Sequence, residues 1–124
     1  MNTTASHDTG TLRTVLDAWK DAVDRHRPEL AAALFTEDAI FQGLHPYSTG
    51  RSDIAAYYDS QPPGLTADYR ILETRHLADD LILGYLTVDF SFTDRPTLHV
   101  NLGILLRRTD DGWAIAHYQV SLLP

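Results

Sequence analysis

At 124 residues and a formal charge of −7, the chain has room for one domain and repels a phosphate backbone, which excludes a nucleic-acid partner on charge. The absence of cysteine removes disulfides, thiolate metal sites and cysteine nucleophiles together. No apolar run approaches the roughly 20 residues of a membrane span, and the polar stretch Met1–Gly10 lacks a signal-peptide core, so no membrane partner and a cytoplasmic location are expected.

Residues 1–10 read as a flexible lead and residues 11–124 as a single domain. Leu12, Val15, Leu16, Trp19, Val23 and His26 recur at helical spacing among acidic and basic residues, which predicts an amphipathic helix. Pro28 suits the first turn of a short second helix, because its missing N–H has no partner there anyway. Thr36-Glu37-Asp38 ends that helix, and Ala39–Gln42 reads as a short strand. Gly43–Gly50 is a loop carrying His45, Pro46 and Tyr47. Ser52 is placed to cap a third helix whose one side carries Ile54, Tyr57 and Tyr58, and Pro62-Pro63-Gly64 stops it.

From Thr66 onward the period changes from helical to alternating. Thr66–Leu77 and Leu81–Thr93 are strands joined at Ala78-Asp79-Asp80, and Asp94-Arg95-Pro96 turns the chain into a hairpin spanning Leu98–Ser121. Its Asp111-Gly112 pair supplies the positive φ that a tight hairpin turn needs. Ile82, Gly84, Leu86, Val88, Phe90 and Phe92 alternate toward a core, leaving Leu83, Tyr85, Thr87, Asp89 and Ser91 opposite. Asp89 therefore reads as a surface or interface residue, paired with Arg75 or Arg107. Leu98, Val100, Leu102, Ile104 and Leu106 form the next inward face. In the last strand, Trp113, Ile115, His117, Gln119 and Ser121 share one side, which starts apolar and turns polar along its length. Helices followed by an antiparallel meander make an α+β domain: a curved sheet of about four main strands plus a short first strand, wrapped around two or three helices. Such a sheet encloses a cone-shaped cavity.

Three phrases, Leu34-Phe35-Thr36-Glu37-Asp38-Ala39-Ile40-Phe41, Gly50-Arg51-Ser52-Asp53-Ile54 and Asp111-Gly112-Trp113-Ala114-Ile115-Ala116-His117 with Ser121, occur in an order and at intervals that resemble the nuclear-transport-factor-2-like superfamily. The likeness is to its SnoaL-like branch and to the small SgcJ/EcaC-type proteins found around natural-product biosynthesis. It implies a cone-shaped α+β barrel, a homodimer through the outer sheet face, and a pocket into which His117, Gln119 and Ser121 look. Relatives in that superfamily include ketosteroid isomerases, polyketide cyclases, dehydratases and members without catalysis. Where the isomerases keep a general-base aspartate, this chain has Gln42-Gly43, and an amide has no basic lone pair at neutral pH. The position where they keep a protonated aspartate falls near Ile104, an apolar residue, so neither carboxylate of that mechanism is present.

On this reading His117 moves a proton, or is a core histidine satisfied by a hydrogen bond. Gln119 and Gln42 hold a ligand carbonyl, or pair with each other or with loop backbone. Trp19, Tyr57 and Tyr58 pack in the core, or their rings wall a pocket for a flat ligand with Phe90 and Trp113; Tyr47 and His45 close its mouth or are simply exposed, and Ser121 adds a polar contact. Six histidines at positions 7, 26, 45, 76, 99 and 117 show no metal-ligand spacing, and no phosphate loop or serine elbow is present, so neither metal nor cofactor is expected. The resemblance implies two functions: a cofactor-independent isomerase, cyclase or dehydratase acting on a small apolar, aromatic or polyketide-derived molecule, or a non-catalytic binding or accessory dimeric protein. In a third reading the outer face carrying Tyr85, Thr87, Tyr118 and Val120 makes a purely structural dimer.

Overall fold

The structure is a computed structural model describing residues 3–123, with side chains described from residue 7 onward. Three helices, α1 (Thr3–Asp24), α2 (Pro28–Ala32) and α3 (Gly50–Ser60), lie against one six-stranded sheet. Its strands are β1 (Phe35–Gln42), β2 (Ser48–Thr49), β3 (Thr66–Ala78), β4 (Leu81–Ser91), β5 (Leu98–Thr109) and β6 (Gly112–Leu122), in the order β2-β1-β6-β5-β4-β3. The sheet is curved but open, ending at β2 and β3, so the expected barrel does not close. All neighbours pair antiparallel except β1 and β6, which run parallel through the contact of Phe41 with Tyr118.

The predicted flexible lead is largely helix. Residues 1 and 2 fall outside the described residues, but α1 begins at Thr3 because its first turns are anchored to β3. Asp8, 2% exposed, meets His76 Nδ1 at 3.1 Å, and Thr9 shares a hydrogen bond with Thr74. Further along, Leu12, Val15, Leu16, Trp19, Ala22 and Val23 are buried against the sheet, as their 3.6-residue period requires. Gly84 of β4 lets α1 approach: a Cβ there would lie 2.7 Å from Leu12 Cδ2. Lys20 ties the helix to β3 by donating to Ala67 O at 2.6 Å and to Asp24 and Asp68 at 2.9 Å.

The helical pattern was expected to run to His26, yet the helix ends at Asp24. His26 takes a left-handed φ of 52°, with His26 N–H donating to Val23 O and Arg27 N–H to Ala22 O, a Schellman closure that satisfies two terminal carbonyls. Two other boundaries move. β1 starts at Phe35, since Ile115 N–H bonds Leu34 O and draws that segment into the sheet. α3 starts at Gly50 with Thr49 as its N-cap, so Ser52 lies inside the first turn.

One irregularity controls the sheet's inner face. Leu106 pairs with Ile115 but Leu105 pairs with His117, leaving Ala116 as an extra residue in β6. This β-bulge reverses the alternation. Ile115 points inward before it, and Tyr118 and Val120 point inward after it. His117, Gln119 and Ser121 therefore share the outer face with Leu105 and Gly103 of β5, contrary to expectation. The same reversal takes Tyr118 and Val120 away from the outer surface on which a structural dimer was expected to rest.

Among the described residues no helix is long and apolar enough to cross a membrane, and no group of three His, Asp or Glu residues could hold a metal ion. Deleting Ala116 alone makes the strand regular and keeps Tyr118 and Val120 inward, opposite Ile104 and Leu102, whereas deleting Ala116 and His117 together shifts the alternation by one and drives Gln119 toward the core in their place. The double deletion is expected to lose cooperative thermal unfolding and the single deletion to keep it.

Candidate functional site

Between α3 and the inner sheet face lies a cavity of ≈ 290 Å³. Its sheet wall is apolar, built by Phe90 and Phe92 of β4, Leu98 and Val100 of β5, and Tyr118 and Val120 of β6. Tyr57 and Tyr58 of α3 cover it from the other side. Adjacent residues on a helix point about 100° apart, yet both rings reach the cavity because they meet each other edge to face at 5.4 Å. The mouth is formed by Gly43, Leu44 and His45 after β1, by Gln61 and Leu65 after α3, and by Arg95 and Pro96 between β4 and β5.

At the inner end the aromatic rings are joined. Phe41 stacks on Tyr118 with centroids 4.3 Å apart and planes 11° from parallel. Trp19, fully buried in α1, donates its Nε1–H to the Tyr58 hydroxyl at 2.9 Å, and the Tyr118 hydroxyl lies close enough to that of Tyr58 for the two to influence each other's ionisation. Burial pushes the Tyr57, Tyr58 and Tyr118 hydroxyls above the ordinary phenol range. Each is therefore a neutral hydrogen-bond donor at physiological pH and a poor base. No Asp, Glu or Lys is among the residues lining the cavity; His45 is its one imidazole and Arg95 its one fixed charge.

Glycine 43 matters here for its size. A Cβ at that position would lie 2.8 Å from the Tyr57 hydroxyl, so the missing side chain leaves the phenol its place over the cavity. Gln42 is the staple of the same loop, donating from Nε2 to Gly43 O at 2.9 Å and to His45 O at 2.7 Å. Those bonds engage the amide in shaping the mouth, the alternative in which it pairs with loop backbone.

The sequence matches the SnoaL-like domain over residues 12–124. The chain belongs to the SnoaL-like family. Solved structures share its fold. A domain of unknown function with a cystatin-like fold from Nostoc punctiforme superposes with a TM-score of 0.82 at 21% identity, over 95% of this chain and 78% of the other. A ketosteroid isomerase-like protein from Erwinia carotovora atroseptica gives 0.79 at 21% identity, over 93% and 95%. An NTF-2-like protein of unknown function from Shewanella oneidensis gives 0.79 at 18% identity, over 91% and 98%. Among curated proteins none matches this chain in sequence.

Within this SnoaL-like domain the expected site residues divide. Tyr58 and Phe90 line the cavity, and Trp19 supports it from behind through Tyr58. Gln42 sits at the rim. His117 and Gln119 lie on the outer sheet face with Ser121, which removes them from the cavity, and the cause is the bulge at Ala116. Trp113 stands at the opposite end of β6, under Arg108 at 5.7 Å, and Tyr47 is 66% exposed, away from the cavity lining. Asp89 pairs with His99 Nδ1 at 2.6 Å across the β4–β5 ladder rather than with Arg75 or Arg107.

Tyr118 and Arg95 were not singled out as site residues, and Tyr57 was read first as core. For Tyr118 the signal was present: after Ile115 the apolar positions fall at 118 and 120, an interval of three where an unbroken strand requires two. Replacing Tyr58 with Phe leaves the Trp19 indole N–H buried without its acceptor, so a loss of about 1–3 kcal/mol is expected by chemical denaturation. The Trp19→Phe/Tyr58→Phe double variant should lose less than the sum of the two single changes.

Proposed function

We propose that this SnoaL-like protein binds a small apolar or aromatic, polyketide-like molecule in the cavity beneath Tyr57 and Tyr58. The observation that carries this reading is a preformed apolar cleft with hydroxyl donors clustered at its inner end. A flat ring system fits between the Phe90 wall and the α3 tyrosines. A carbonyl or hydroxyl at its buried end accepts from Tyr58 or Tyr118, which burial holds as neutral donors. The volume sits at the low end of the range for pockets that hold drug-sized ligands, about 300–1,000 Å³.

A second reading, acid-base turnover in natural-product metabolism without a cofactor, is favoured by His45. Its ring lies 6.3 Å from that of Tyr57 at the mouth, where an imidazole can exchange a proton with a ligand whose oxygen the tyrosines polarise. Cytoplasmic residence belongs to the same proposal and fits a chain free of cysteine.

Native mass spectrometry beside the denatured mass is expected to show a releasable small molecule. Leu98→Trp, which fills the cavity from its half-buried wall, should abolish that extra mass without unfolding the domain. An empty wild-type protein that also ignores the neutral dye N-phenyl-1-naphthylamine would overturn the binding reading. Time-dependent conversion of the released compound, lost in His45→Gln, would establish turnover; recovery of the compound unchanged would favour binding alone.

The outer sheet face is proposed as a homodimer surface. Leu83 and Leu105 are register partners there, with Tyr85 beside them and Ile40 beyond His117, and Ile40, Leu83 and Tyr85 are 45%, 38% and 42% exposed. Leu83→Glu should shift the sedimentation coefficient to that of a monomer; an unchanged dimer places the interface elsewhere. Val120→Glu should instead unfold the protein, because Val120 is buried in the cavity wall.

A further inference from the structure

Arg95 stands out among the residues that line the cavity. The protein as a whole is acidic, at −7, yet the one fixed charge at this cleft is positive. Its guanidinium carbon lies 4.8 Å from the centre of the Phe92 ring, so the group rests on the aromatic wall of the mouth. Asp94 holds it from one side, accepting from Nε at 3.1 Å and from Nη2 at 3.4 Å. That pairing uses the Nε/Nη2 edge of the planar fork. The adjoining edge, formed by Nη1 and the second N–H of Nη2, has the spacing that receives two oxygens of a carboxylate side by side.

We propose that the ligand of this cavity is an amphipathic acid, with a flat apolar body beneath the tyrosines and a terminal carboxylate bound bidentately by Arg95. This rests on the reading of the cavity as a small-molecule site and names the ligand class within it. The two ends of the cleft then recognise different groups: neutral phenol donors at the buried end take a neutral oxygen, and the cation at the mouth takes the charge where water still reaches it. Placing the charge at the rim avoids the desolvation that a carboxylate would suffer among Phe90, Val100 and Val120. Asp94 orients Arg95 through those two bonds, and its carboxyl is itself held below the usual carboxylate range by Arg95, so it stays ionised to keep the fork in place. Lysine at position 95 would keep the charge but not the planar two-point contact.

The test uses 2-naphthoate and 2-naphthamide, which share shape and differ in charge, titrated calorimetrically into the full-length protein. Wild type should bind the acid about tenfold more tightly than the amide. Arg95→Gln should erase most of that preference, weakening the acid about tenfold and the amide, whose carbonyl accepts only one N–H, by less, and Arg95→Lys should retain part of it. Higher ionic strength should shrink it as well. Equal binding of both compounds, insensitive to Arg95→Gln, would overturn the acid and leave the cavity reading standing. Failure of either compound to bind, and to displace N-phenyl-1-naphthylamine, would overturn both together. Arg95 is 52% exposed and serves no core contact, so loss of folding does not confound the variant.

Discussion

Between Ile115 and His117 strand β6 uses two steps where β5 uses one, and the contents of the cavity depend on that mismatch. Without it the inner face would continue from Ile115 to His117 and Gln119, bringing an imidazole and an amide against Phe41 and Ile104. With it, Tyr118 enters instead, stacks on Phe41 and joins the hydroxyl cluster around Tyr58. The parallel pairing of β1 with β6 is irregular over the same stretch, between Phe35 opposite Ile115 and Ile40 opposite His117, but there the extra residues belong to β1. One extra residue in β6 therefore sets the chemistry of the inner face.

The aromatic cluster then links the helices to the sheet. Trp19 from α1, Tyr58 from α3, Phe41 from β1 and Tyr118 from β6 meet in one contiguous set of ring contacts. The Trp19 indole N–H and the Tyr58 hydroxyl are partners inside the set, so that pair is buried without the cost of an unpaired donor. The same bond fixes which way the Tyr58 phenol faces, which is why structural support and ligand contact are the same atoms here. Recognition and stability are consequently hard to alter separately at Tyr58, while at Arg95, outside the cluster, they separate cleanly.

The α+β order, the helix and strand types and the inward faces of β4 and β5 were all legible in the sequence, because long amphipathic stretches with uninterrupted periods state their own orientation. Leu12 to Val23 and Ile82 to Phe92 are such stretches. The site was legible only in part. Phe90 and Tyr58 lie on unbroken periods and line the cavity, whereas His117, Gln119 and Ser121 lie beyond a bulge that shifts the alternation of every later side chain. The polar turn of that face along β6 was visible and was read as a mixed pocket floor; it records the crossing from core to surface. Gly43 and Arg95 sit in connections, where no period exists and position is set by contacts with distant residues. The early helical turns at Asp8 and Thr9 escaped for the same reason, since their partners His76 and Thr74 are more than sixty residues away.

The open sheet leaves β3, thirteen residues long, with one edge that no other strand pairs; Lys20 and Asp24 of α1 occupy it at Ala67, and the rest is long enough to template the addition of a foreign strand. Its register with β4 slips twice, at Leu72 and at Leu77, so the free edge is neither straight nor continuously presented. Asp68, Arg70, Glu73 and Arg75 set alternating charges along it, and a strand approaching that edge must first part them. The irregularities of β3 thus act as a guard against self-templated aggregation, which lets the domain keep an unclosed sheet, and with it an accessible mouth, at high concentration.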